Sequence, residues 1–164
     1  MVIEYAKKDD LSRIMEIYAH ARQFMAANGN PRQWGATNWP PEELIKKDIQ
    51  SGKCHVCREN GNIVGVFFYD YGERIESTYD KIDGKWMGNG AYGVVHRIAS
   101  DGSRKGTGAF CIRWALAQCG DLRIDTHGDN KVMQSLLEKL GFSYCGIISV
   151  KEDNDPRLAY EKVL

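Results

Sequence analysis

The sequence predicts an α/β fold, a mixed and mostly antiparallel sheet flanked by about four helices, and three observations carry that expectation. Residues 92–100, YGVVHRIAS, alternate Tyr92, Val94, His96 and Ile98 with Gly93, Val95, Arg97 and Ala99, the two-residue period of a strand largely buried on both faces, and a glycine-rich turn then opens an amphipathic helix. A second unit, LRIDTHGDNKVMQSLLEKLGFSYCGII, again reads strand, turn, helix and strand. Ahead of both, residues 53–58 and 63–71 are strand-like runs joined by Glu59-Asn60-Gly61-Asn62, whose side chains tolerate positive φ, so they form an antiparallel hairpin.

Taken in order, residues 2–6 predict a first strand, and Asp9 or Asp10 is placed to cap a helix with the stripe Leu11, Ile14, Met15, Ile17, Tyr18, Ala21 and Met25. Asn28-Gly29-Asn30-Pro31 ends that helix, and the loop RQWGATNWPP leads to a second helix carrying Leu44, Ile45 and Ile49. Trp34 and Trp39 in the loop fit an aromatic wall for a substrate and equally fit hydrophobic plugs that hold the loop down. After the hairpin, GERIESTYDKIDGKWMGNGA is longer than a turn requires; an ordered functional connection and a solvated, disordered excursion are both compatible with it. Ala109, Ile112, Ala115 and Leu116 give the third helix its buried side and Gly120 ends it. Residues 122–126 form the next strand, and Asp129 or Asn130 caps a fourth helix that buries Val132, Met133, Leu136, Leu137 and Leu140 and stops at Gly141. Residues 142–150 and 157–163 supply the last strands, linked through 151–156.

A chain of 164 residues, 43% apolar and without a Ser/Pro/Gly tract, is expected to be a single domain over residues 1–164. Its 22 Lys and Arg balance 22 Asp and Glu, so no overall field draws it to nucleic acid or anionic lipid. The start MVIEYAKKDD is neither a signal nor a transit sequence, and no run is long enough to span a bilayer, so no membrane partner and a cytoplasmic location are expected. Five irregularly spaced cysteines argue for free thiols. Cys54-His55-Val56-Cys57 has CxxC spacing, but in a strand residues three apart point to opposite faces, so it reads as strand and not as a metal site.

The turn Ser103-Arg104-Lys105-Gly106-Thr107-Gly108-Ala109 has the chemistry of an anion cradle. Backbone N–H groups converge at a helix start, Gly106 and Gly108 carry no Cβ to keep a phosphate away, and Arg104 and Lys105 bring positive charge. A phosphate or pyrophosphate is the expected ligand. Neither GxxxxGK[ST] nor an early GxGxxG occurs, which disfavours P-loop and dinucleotide-binding readings.

The same turn resembles the pyrophosphate motif of the GNAT N-acetyltransferase family, [QR]-x-x-G-x-[GA], here Ser103-x-x-Gly106-x-Gly108, with Ser103 in place of Gln or Arg and Arg104 beside it. The second unit resembles the family's next block, in which an Asn opens a helix ending in Gly-Phe, here Asn130 and Gly141-Phe142. The resemblance covers the chain from about Tyr92 onward and implies a GNAT-like fold and acetyl-CoA as acetyl donor. It further implies direct transfer to the primary amine of a small molecule or peptide, with a possible homodimer. It places the acyl oxygen near backbone N–H groups of Ile98, Ala99 or Ser100, and Asn130 near the pantetheine or phosphate arm.

Transfer to an amine needs a base, an oxyanion donor and a proton for the leaving thiolate. His96, Asp125, His127 and Glu76 are candidate bases, with His96 and Asp125 foremost. The Tyr that many family members carry seven residues after the helix-opening Asn is Leu137 here, leaving Tyr144, Tyr160 or water to supply the acid. Cys111 and Cys145 lie in apolar runs without an adjacent His and read as core, not as acetyl carriers. Ser103 and Leu137 keep open an alternative class, a non-catalytic acyl-CoA-binding sensor or interaction module. Gly106→Val is expected to abolish CoA binding, because the branched Cβ closes the phosphate approach and strains the turn; calorimetry on the folded variant checks it, and an unchanged Kd refutes the cradle.

Overall fold

The computed structural model describes residues 1–151 and 153–164; of the predicted link 151–156, Glu152 lies outside the described residues. The strands are β1 (Val2–Tyr5), β2 (Cys54–Glu59), β3 (Asn62–Gly72), β4 (Asp83–Gly84), β5 (Tyr92–Ser100), β6 (Asp121–His127), β7 (Ser143–Ser149) and β8 (Pro156–Val163). They form one sheet in the order β1-β2-β3-β5-β6-β8-β7-β4, antiparallel throughout except for the parallel pair β5 and β6. The helices are α1 (Leu11–Ala27), α2 (Glu42–Gln50), α3 (Thr107–Cys119) and α4 (Lys131–Lys139). This is the mixed, mostly antiparallel α/β architecture that the periodicities predict. Among the described residues no helix is long and apolar enough to cross a membrane.

The alternation of side chains along the strands sorts the core into two faces. On one, Ile14, Ile17 and Tyr18 of α1 and Ile45 of α2 bury against Cys54, Val56 and Val66. On the other, Ile112, Ala115 and Leu116 of α3 and Leu137 of α4 bury against Cys57, Phe67, Val95, Leu122 and Ile124. Cys54 and Cys57 therefore face opposite ways, as strand geometry requires. Two details depart from the sequence expectation. Asp10 does not cap α1: its Oδ2 accepts from the Lys7 N–H at 2.8 Å and its Oδ1 from Arg58 at 3.0 Å, so it closes a 3-10 turn ahead of the helix. The alternation of β5 does not run through to Ala99. Arg97 takes φ +50°, and Arg97 and Ile98 together oppose Phe67, between the pairs His96 with Phe68 and Ala99 with Val66, so Ile98 joins Val95 on the α3 face and Ala99 turns toward α1.

The connection between β3 and β5, for which the sequence left order and disorder open, is ordered. It contains a 3-10 helix, Ser77–Lys81, with Tyr79 fully buried, and the two-residue β4, which pairs with Gly146 and Ile147 of β7. Its far end is held by a buried ion pair: Glu161 accepts from Arg123 Nε at 2.9 Å and from the N–H groups of Met87 and Gly88, while Arg123 donates to the Gly88 carbonyl at 2.8 Å. The Arg123 guanidinium also lies over the Trp86 and Tyr92 rings, 4.5 and 4.0 Å from their centroids. Burial, with the hydrogen bond and charge of Glu161, raises the neighbouring Asp121 carboxyl to about 7, against the pull of Arg123. A carboxyl raised on folding favours the folded state while protonated, so the stability it lends is full below about 4, its unfolded range, and is lost as the pH climbs to about 7. Asp121→Asn is accordingly expected to raise the Tm at pH 8 by a few degrees and to leave it unchanged near pH 4, read by calorimetry across that range.

Candidate active site

β5 and β6 are parallel and each feeds a helix on the same face of the sheet, so α3 and α4 both begin at one end of it. The two strands pair only at Gly93 with Leu122 and Val94 with Arg123, then part. A cleft of about 210 Å³ opens in the gap, walled by residues 95–98 and 124–126 and by the side chains of Glu76, Trp34, Trp39, Asn130 and Met133.

His96 stands at its centre. Its Nε2 lies 3.0 Å from Glu76 Oε2, and a carboxylate can only accept, so Nε2 carries the proton. Nδ1 is then left as a lone pair facing Asp125 Oδ2 at 3.8 Å, while that oxygen accepts from the Tyr79 hydroxyl at 2.7 Å. Burial alone would raise Glu76, but the hydrogen bond and charge of His96 and hydrogen bonds from the Thr78 N–H and hydroxyl outweigh it and hold the carboxyl at about 2. Burial and the Asp125 charge push the Tyr79 phenol well above its usual value, so it stays a donor. The backbone beneath is fixed from the other side: the Tyr18 hydroxyl donates to the Arg97 carbonyl at 2.7 Å, and Arg97 pairs with Asp48 of α2 at 2.9 Å. An imidazole so held keeps Nδ1 turned toward the cleft and Asp125, where it can accept a proton.

The glycine turn lies at the start of α3. Gly106 takes φ +82°, and a Cβ added to it would meet nothing within 4 Å, so the space before it is open. The first intrahelical bond there runs from Phe110 N–H to Gly106 carbonyl at 2.9 Å, leaving the N–H groups of Thr107, Gly108 and Ala109 as the unpaired first turn. Ser103 is turned away, its hydroxyl and N–H both donating to Asp101 at 2.6 and 2.9 Å. Arg104 pairs with Glu59 at 3.2 Å and Lys105 is exposed. The Thr107 hydroxyl, buried, donates to the Arg104 carbonyl at 2.8 Å and stiffens the turn. The turn thus presents unpaired backbone N–H groups, with Arg104 tied to Glu59 and Lys105 exposed.

Asn130 caps α4, its Oδ1 accepting from the Met133 N–H at 3.0 Å, and its Nδ2 donates to Gln33 at 2.9 Å. Gln33 also accepts from Asn30, and Arg32 makes two 2.7 Å bonds to Asp155, so the loop between α1 and α2 is tied across the cleft. His127 belongs to that tie: its Nδ1 accepts from the Asp129 N–H at 2.9 Å and its Nε2 donates to Asp155 at 2.8 Å, leaving neither nitrogen for proton transfer. Trp34 is buried edge-on to Tyr18 and Trp39 borders the cleft, so the loop uses its tryptophans both as plug and as wall.

Several candidates are not brought to the cleft. Tyr144 is exposed on β7 with its ring edge-on to Tyr160, and Tyr160 is buried in the α3 face of the core. Leu137, likewise, is fully buried there. Cys111 is raised by its hydrogen bond with Cys57 and by burial, and burial with the Glu161 charge pushes Cys145 up to about 11; neither lines the cleft. Tyr79, in the 3-10 helix of the long connection, and Gln33, in the loop after α1, are brought in by the structure from segments with no periodicity to single them out. Among the described residues no group of three or more His, Cys, Asp and Glu side chains is placed to hold a metal ion.

A parallel pair parted over a cleft, with a glycine cradle and a helix-opening Asn at the same end, can be compared with solved structures. An acetyltransferase of the GNAT family from Streptococcus agalactiae superimposes with a TM-score of 0.86 at 32% identity, over 99% of this chain and 95% of that one. This chain belongs to the GNAT family. A GNAT-family acetyltransferase from Listeria monocytogenes shares the fold at a TM-score of 0.68 and 18% identity over 99% of this chain and 94% of that one. So does the ribosomal-protein-S18-alanine N-acetyltransferase of Escherichia coli, at 0.64 and 14% over 99% and 92%. No family sequence model and no curated protein matches the chain. Within this GNAT chain Asn130 is the hinge of two bonds, so Asn130→Ala is expected to cost about 1 kcal/mol of stability through the lost cap, measured by urea unfolding, with Asn130→Asp retaining most of it.

Proposed function

We propose that the chain is a cytoplasmic, single-domain N-acetyltransferase that carries the acetyl group of acetyl-CoA directly to the primary amine of a small molecule or peptide. The observation that carries this reading is the placement of the Glu76–His96–Asp125 array in the gap between β5 and β6, with the glycine cradle at the end where that gap opens. The fit of the donor rests on the open space before Gly106 and the unpaired first turn of α3, which suit a pyrophosphate. Ser103 to Ala109 would hold that group by backbone, with Arg104 and Lys105 at its edge, and Asn130 would meet the arm that runs toward the cleft. Acetyl-CoA supplies an activated acyl group. The chain's own residues do the rest. Two carboxylates draw a cationic amine past Trp39, and His96 Nδ1, directly or through one water, takes the proton that frees its lone pair. Glu76 keeps the imidazole in the required tautomer, and Asp125 faces the charge that forms on it. The bulge at Arg97 leaves an unpaired position in the ladder, so an N–H in the stretch Ile98, Ala99 and Ser100 can face the acyl oxygen as it gains charge.

The test is CoA thiol release with a panel of amines, in which at least one acceptor is turned over; thermal stabilisation by CoA without any turnover would favour the sensor reading instead. His96→Gln is expected to lower kcat roughly a hundredfold and to flatten the acidic limb of its pH profile, with acetyl-CoA affinity kept. Near-normal kcat in His96→Gln and in Asp125→Asn would remove both from the mechanism.

A further inference from the structure

Thr126 lines the cleft, and its hydroxyl is buried and has no hydrogen-bond partner, which sets it apart from the side chains of the array. A hydroxyl deprived of water and of a partner is costly, and at the wall of a binding cleft the natural compensation is a ligand atom. Two features say which part of a ligand it meets. Leu122 and Ile124 of β6 face the α3 side of the sheet, so by the two-residue period Thr126 faces that side too, whereas Asp125, bonded to Tyr79, faces the other. The hydroxyl is therefore on the side of the cradle and of Met133, and the His96 array is on the side of Trp39 and Glu76. Level along the strands follows from the register. Counting on from Gly93 with Leu122 and Val94 with Arg123 sets His96 beside Asp125 and the bulged Arg97 beside Thr126. Thr126 thus stands across the gap from the strand break that the proposed function assigns to the acyl oxygen.

We propose that Thr126 donates its hydroxyl hydrogen bond to the sulfur of CoA and of its acyl thioester, in place of the phenol that Leu137, sealed in the core, does not supply. This rests on the acetyl-CoA reading above. In the transfer the C–N bond forms and the C–S bond breaks with its electron pair left on sulfur. The proton that frees the amine lone pair passes to His96, the second N–H proton, released as the amide forms, reaches the sulfur through water, and Thr126 keeps its own throughout while its hydrogen bond steadies the leaving charge.

Thr126→Val keeps the shape and removes the hydroxyl. Because that hydroxyl has no partner in the free protein, the Tm of the ligand-free variant is expected to equal or exceed that of the wild type. By calorimetry its Kd for CoA should rise about threefold to tenfold, the worth of one such bond, while its Kd for desulfo-CoA, which lacks the sulfur, stays at the wild-type value. Thr126→Ser should restore the CoA affinity. A lower Tm with unchanged CoA affinity would show a hydroxyl that serves the fold, and equal weakening toward CoA and desulfo-CoA would place it on another part of the arm; either overturns the proposal. Wild-type protein that binds CoA normally while Thr126→Val does so too sinks this contact alone, whereas wild-type protein that binds no CoA overturns the acetyl-CoA reading and the contact together.

Discussion

The two parallel strands at the middle of the sheet stay paired for only two residues each, and most of the molecule is arranged around that early parting. A parallel ladder that ran on would seal the gap with backbone hydrogen bonds and leave nothing for a ligand. Here β5 carries a bulge at Arg97 in its ladder with β3, and that residue is fixed by side chains from two helices and from β3. Tyr18 holds the Arg97 carbonyl, Asp48 holds its guanidinium, and Phe68 lies 4.6 Å beneath that guanidinium. Positive φ at a non-glycine residue costs energy of order 1 kcal/mol, and three separate contacts to one residue are what such a conformation requires to persist.

The walls of the gap come from parts of the chain far apart in sequence, and each is anchored away from the cleft. The connection from β3 to β5 delivers Glu76 and Tyr79, but its position is set by the buried Arg123–Glu161 pair, by the stacking of Trp86, and by the short β4 against β7. The loop between α1 and α2 delivers Trp34, Trp39 and Gln33, and it is fixed by Gln33 to Asn130 and by Arg32 to Asp155. Asn130 and His127 are polar groups near the site whose bonds lie within the protein, so their first work is structural. His96 differs from them in that one nitrogen is committed to Glu76 while the other faces open cleft and Asp125.

Acid–base chemistry is distributed unevenly as a result. The carboxylates and the imidazole lie on one face of the sheet, and the described residues that line the cleft toward α3 and α4 are Val95, Ile98, Ile124, Thr126 and Met133. Leu137 fills the core where a phenol would otherwise project, and Tyr144 and Tyr160 pack against each other at a distance from the gap.

By itself the sequence determined most of the elements, the two strand-turn-helix units and the glycine turn of the first, because these depend on local properties: a two- or 3.6-residue period, an Asn at a helix start, glycines where φ is positive. His96 and Asp125 were also legible, as alternative bases among four candidates, since both sit near the ends of strands. What the sequence did not determine was the company they keep. Glu76 stood among several candidate bases in a stretch without periodicity, Tyr79 and Thr126 stood in segments that gave them no chemical role, and Gln33 carried no signal. Only the tertiary structure decided that Glu76 orients His96, that Tyr144 points away, and that Asp10 closes a turn where a helix cap was expected. The physical reason is the range of the interactions. Periodicity and capping act over a few residues and leave a trace in sequence, whereas a 3.0 Å bond between residues 76 and 96, or between 33 and 130 at 2.9 Å, depends on how distant segments pack. The bulge at Arg97 belongs to the same class: nothing about an arginine in a strand announces it, and it exists because Tyr18 and Asp48 arrive from two helices to hold it.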